Sequence, residues 1–151
     1  MRRIALILEN ITWSFDAALA EALGTVCMAS NIQLILYESR YGTLAHLTET
    51  LAGHDVQGVV FLADSISLAD STDNMQAFLG SLKVPCVTVG LRFPGFPSVA
   101  ADNSAGMTLL IHHLFERGAR RIAHVTGPSL NREASERKDA RSEEHTSELQ
   151  S

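Results

Sequence analysis

Short apolar runs alternate with segments of helical period along this chain, and that alternation limits the fold more than any other feature. The runs are Arg3–Glu9, Ile32–Glu38, Gly58–Asp64, Pro85–Gly90, Ser98–Asp102 and Arg121–Gly127. Compact apolar runs of this length suit strands buried on both faces. Between them lie four helical segments: Trp13–Ala29, Leu44–Gly53, Asn74–Lys83 and Ser104–Gly118. In the first, Phe15, Leu19, Ala22, Leu23, Val26 and Cys27 recur at helical spacing; in the third, Met75, Phe78, Leu79 and Leu82 do so. Asn103 or Ser104 is placed to cap the fourth, and Gly118 follows its end. Strict alternation of this kind predicts the α/β class, with a parallel sheet carrying helices on both faces.

Composition removes several function classes. The net charge of −5 gives no overall basic field for nucleic acid or anionic lipid. The arginines within Glu116–Ile122 follow a helix C-terminus, where cations complement the dipole. Cys27 and Cys86 sit inside apolar runs and read as small buried hydrophobes. The apolar stretch Ile4–Leu8 is too short for a secretory leader, and no run reaches membrane-spanning length. A cytoplasmic location is expected.

In a doubly wound sheet, ligands bind beyond the carboxyl ends of the strands. Those positions hold Asn10 and Trp13 after the first run, Asp64 after the third, and Asp102 with Asn103 after the fifth. The segment after Gly127 and Pro128 supplies Asn131 and Glu133. None of these carries a dinucleotide fingerprint, a phosphate-binding P-loop or a nucleophile elbow. Asp64 with Glu9 faintly resembles a phospho-accepting receiver, but no lysine follows the fifth strand. The six histidines form no metal-binding spacing. No enzyme activity, cofactor or metal is expected.

The stretch Pro97–Arg137, "PSVAADNSAGMTLLIHHLFERGARRIAHVTGPSLNREASER", resembles the ligand-sensing domain of LacI-type bacterial transcription regulators. The shared features are Asp-Asn before a helix, His-Leu and a glycine at its end, Arg-Arg-Ile-Ala, Gly-Pro and a later arginine. More weakly, "RIALILENITWSF" is similar to that family's first strand and aromatic loop. The resemblance spans about residues 3–140 and implies a periplasmic-binding-protein-like fold of two lobes that close on a small polar effector, sugar- or purine-like. It implies a complete first lobe over residues 1–102 and the opening helix and strand of a second over 103–140.

In the family the arginine after Gly-Pro contacts the effector, and Arg137 holds that place. A guanidinium suits the task because its fork can grip hydroxyls or a carboxylate in pairs. Phe15 matches an aromatic of the pocket, and Trp13 stands nearby to stack a ring. Each has a plainer alternative: Asp102 and Asn103 as helix caps, Phe15 as core, Arg137 as a solvated helix residue. The resemblance further implies a homodimer in the intact protein and DNA contact only through a domain absent from this chain. Its outputs are transcription regulation first, then a signalling domain such as a diguanylate cyclase, and an exported solute-binding protein third.

Residues Arg141–Ser151, "RSEEHTSELQS", fit neither the periodicity nor the family. Their codons can be written as a common sequencing-library adapter read in frame. They are expected to be an artefact and to pack against nothing, although a propensity-driven turn of helix can continue through Glu143 and Glu144. Residues 103–140, deprived of their sheet neighbours, are expected to expose apolar surface.

Overall fold

The computed structural model describes residues 1–39, 44–62, 72–127 and 131–148. The chain divides into two compact units, Met1–Ala100 and Ala101–Ser151.

The first unit is a five-stranded, wholly parallel sheet in the order β2-β1-β3-β4-β5. The elements are β1 (Arg2–Leu8), α1 (Ser14–Ala29), β2 (Ile32–Glu38), α2 (Leu44–Gly53), β3 (Val59–Leu62), α3 (Thr72–Ser81), β4 (Cys86–Val89) and β5 (Ser98–Val99). β1 lies between β2 and β3, pairing Leu6 with Leu36 on one side and with Val60 on the other.

Successive side chains of a strand point to opposite faces, and the core follows that rule. Ala5 and Ile7 of β1 join Val59 and Phe61 of β3 against Leu47 and Leu51 of α2 and Phe78 and Leu79 of α3. The intervening Leu6 and Leu8, with Leu62, pack against Ala20 of α1. Both faces therefore carry helices, which is why the runs read as continuous hydrophobicity and not as alternation.

The helices begin and end for local reasons. α1 stops at Ser30, and Asn31 takes the left-handed conformation (φ 54°) that asparagine tolerates after a helix C-terminus. Its buried stripe is Asp16, Ala20 and Cys27, with Leu19 and Leu23 beside it. At about 100° per residue, Phe15 and Val26 fall on the flank of that stripe and face solvent. Phe15 is thus not a core residue. Cys27 and Cys86 are buried free thiols.

The second unit contains α4 (Asn103–Glu116) and α5 (Arg132–Glu148). Asp102, not Asn103 or Ser104, is the N-cap of α4: its Oδ1 accepts from the Ala105 N–H at 3.0 Å. Gly118 closes the helix with φ 90° while its N–H donates to the Phe115 carbonyl. Met107 and Ile111 of α4 pack with Ala140 of α5, flanked by Phe115 and Ile122.

Two expectations are corrected here, and one element is added. Arg121–Gly127 forms no strand, because a parallel strand needs a neighbour to receive its hydrogen bonds and this unit contains no other strand among the described residues. The segment "NREASER" opens a helix of 17 residues, α5, that the apolar pattern did not disclose. That helix runs to Glu148, and Arg141 does pack: its Nη2 donates to the Ile122 carbonyl at 2.9 Å. Arg141 follows the buried Ala140, so its long side chain starts next to the core and reaches the segment beyond α4.

Candidate functional site

With β1 flanked by β2 and β3, the connections leaving β1 and β3 diverge to opposite faces of the sheet. Such a switch point opens a crevice beyond the strands' carboxyl ends. On the β1 side that place is taken by Glu9–Trp13. On the β3 side it begins at residue 63, and Asp64 lies outside the described residues.

The β1 loop is held by its own polar groups. Asn10 Oδ1 accepts from both the backbone N–H and the hydroxyl of Thr12, at 3.0 and 2.7 Å, forming an Asx turn. The Asn10 N–H donates to Asp16 Oδ2 at 3.2 Å, and the Ile11 N–H donates to Glu38 Oε1 at 2.8 Å. Asp16 is 1% exposed, a buried carboxylate that the sequence reading missed. Partial burial, and then the Asp16 charge, push the Glu9 carboxyl above the usual carboxylate range. The rigid loop leaves Trp13 46% and Phe15 61% exposed. Trp13 is also the N-cap of α1 and supplies no side-chain hydrogen bond, so the helix head offers donors that no cap satisfies.

In the second unit, four of the sequence candidates lie on or beside α4 and α5. Asp102 caps α4. Asn131 caps α5, its Oδ1 accepting from the Ala134 N–H at 2.8 Å. Glu133 lies in the first turn of α5, where a carboxylate complements the helix dipole. Arg137 is one turn further on, with Nη1 3.8 Å from Glu133 Oε2.

The same Nη1 donates to Asn103 Oδ1 at 2.6 Å. Asn103 is 9% exposed, so the contact ties α4 to α5 through a buried amide. The amide's Nδ2 donates to Glu136 Oε2 at 3.3 Å, and Glu136 Oε1 lies 3.4 Å from Arg132 Nε. Glu136 and Arg132 were missed, although the interleaved i,i+4 pairs Arg132–Glu136 and Glu133–Arg137 are legible in the sequence. Arg137 is thus a positioned guanidinium within a polar network and not a free surface side chain.

Backbone packing explains the glycine of the Gly-Pro pair. A Cβ on Gly127 would stand 2.9 Å from the Ala134 Cβ. Gly127 passes the first turn of α5 too closely for any side chain. Among the described residues, no three His, Cys, Asp or Glu side chains converge to hold a metal ion. No described helix is long and apolar enough to cross a membrane.

A parallel sheet in the order β2-β1-β3-β4-β5, followed by the Asp102-capped α4 and the arginine-bearing α5, is the periplasmic-binding-protein-like fold seen in solved LacI-type transcription regulators. Particular solved structures make the likeness concrete. The trehalose repressor from Escherichia coli superposes with a TM-score of 0.82 at 17% identity, over 98% of this chain and 56% of that one. A periplasmic binding protein/LacI transcriptional regulator from Alkaliphilus metalliredigens, complexed with D-xylulofuranose, gives 0.78 at 20% identity, over 98% and 53%. A LacI family transcriptional regulator from Mycobacterium smegmatis gives 0.75 at 24% identity, over 95% and 51%. The chain therefore spans about half the length of these proteins. No protein-family model and no curated protein matches the sequence.

Proposed function

We propose that this chain is the first part of the effector-sensing domain of a LacI-type transcription regulator, working in the cytoplasm without catalysis. The observation that carries this reading is the Arg137–Asn103 contact at 2.6 Å, set by helix caps at the family's Asp-Asn and post-Gly-Pro positions. The effector is a small polar metabolite with hydroxyls or a ring, of the sugar or purine kind. Arg137 anchors it through the guanidinium donors not engaged by Asn103. Trp13 and Phe15 offer ring faces, and Asn10, Asp64, Asp102, Asn131 and Glu133 complete the proposed ligand set. DNA is reached through a domain outside this chain, and the intact protein works as a homodimer.

The test is a calorimetric titration with D-xylulose, other neutral sugars and purine bases, on this chain and on the longer protein that contains it. Arg137→Ala is expected to weaken binding by about 1.5–3 kcal/mol, the usual worth of hydrogen bonds to a charged group. Binding of the variant within about 1 kcal/mol of the parent, less than such a bond contributes, would remove Arg137 as the anchor.

A further inference from the structure

Arg137 cannot set its own guanidinium. Its side chain is 39% exposed, and a long cationic side chain at such a place samples many rotamers. Asn103 restrains it, but an asparagine amide can present either its oxygen or its NH2 in a given direction. Only the oxygen attracts a guanidinium, so something must select the orientation.

Glu136 makes that selection. Ionised, it is an acceptor only, and its Oε2 receives the Asn103 Nδ2–H at 3.3 Å. Turning the amide over would set Asn103 Oδ1 against a carboxylate and its NH2 against a guanidinium, two repulsive contacts in place of two attractive ones. Glu136 is in turn held by Arg132, 3.4 Å from its other oxygen. The chain of contacts Arg132–Glu136–Asn103–Arg137–Glu133 alternates donors and acceptors without a break.

We infer that Glu136 is a positioning residue: through the Asn103 amide it pins the Nη1 end of Arg137. The Nε and Nη2 edge, the one that grips a ligand in pairs, then holds a single direction. The positioning stands on the contacts themselves; its use for an effector rests on the function proposed above.

The experiment is side-chain NMR on the full 151-residue chain without any ligand, labelled with 15N and 13C. In the parent chain, the Asn103 Nδ2H2 protons should show cross-relaxation to the Glu136 Hγ protons. Cross-relaxation to the Arg137 Hη1 protons instead would mean the opposite amide orientation and overturn the proposal, with no variant needed. Glu136→Ala should move the Asn103 Nδ2H2 and Arg137 Nε–H signals toward the positions of freely solvated groups, and Glu136→Gln should keep them.

In an Asn103→Asp background there is no amide to orient, so Glu136→Ala should no longer release Arg137. Equal loss in both backgrounds would mark Glu136 as merely structural and sink the inference. Because no effector is present, these outcomes are independent of the sensor reading. That reading fails separately if sugars and purines leave a correctly oriented Arg137 undisturbed.

Discussion

At the residue scale, the buried polar groups decide how the loops are set. Asp16 receives the Asn10 N–H from inside the first unit. Asp16→Ala should therefore cost about 1–3 kcal/mol, the penalty of leaving a buried donor unmatched, seen as a lower urea midpoint. Its burial was not legible beforehand, because it depends on the Asn10 loop folding back over the head of α1. Arg137 is legible only through the resemblance of its surrounding motif, not from its own helix pattern. The amide and the carboxylate that hold it emerged only when α4 and α5 were seen side by side. Cys86 behaves as its apolar run implied: burial pushes its thiol up to about 11 from an ordinary 9.0. The folded state thus holds this proton more tightly than the unfolded one. The resulting stabilisation is complete below about pH 9 and is lost as pH rises toward 11. A disulfide reagent at pH 8 should label Cys86 only through opening of the structure, at a rate that rises with urea.

At the element scale, strands and helices of the first unit were read within a few residues. Their signal is local: a buried strand is a run of apolar residues, and its two faces are filled by alternate positions such as Ile7 and Leu8. Arg121–Gly127 carries the same signal and forms no strand, since a ladder needs a partner that composition cannot reveal. α5 fails in the opposite sense. It has almost no apolar stripe, with only Ala134 and Ala140 buried among its described side chains, and is held by its Asn131 cap and paired charges. Asn131→Ala should then cost about 1 kcal/mol of helix stability, measurable as faster amide exchange in its first turn. Gly127→Ala forces a Cβ into the 2.9 Å approach to Ala134. It should cost about 1–3 kcal/mol by overpacking and shift the amide signals of the same turn.

At the scale of the whole molecule, the two units are built with very different means. The first has a core on both faces of a sheet, with Leu6, Ile7, Leu8, Phe61 and Leu62 fully shielded from solvent. Among the described residues, the second has a small cluster of Met107, Ile111 and Ala140, with Phe115 and Ile122 partly covered. Meanwhile Leu109, Leu110 and Val125 stand 71%, 51% and 94% exposed. Full burial of a large apolar side chain is worth about 1.5–3 kcal/mol, whereas ordering each residue costs about 1–2 kcal/mol in backbone entropy. Among the described residues, two large buried side chains, Met107 and Ile111, cannot carry a unit of this length to the stability of the sheet. Unfolding of the chain should therefore not be two-state. Heating or urea should first release α4 and α5, then melt the sheet in a separate, steeper transition. Hydrogen exchange resolved by residue is the direct measurement. Amides of β1 and β3 should be protected to the full stability of the first unit, and those of residues 103–148 should exchange through openings several kcal/mol cheaper. The exposed leucines should also bind an apolar dye at temperatures where the sheet is intact. Equal protection in α4 and β1, with one coincident transition by all probes, would show that the second unit is stabilised by something other than its own small core.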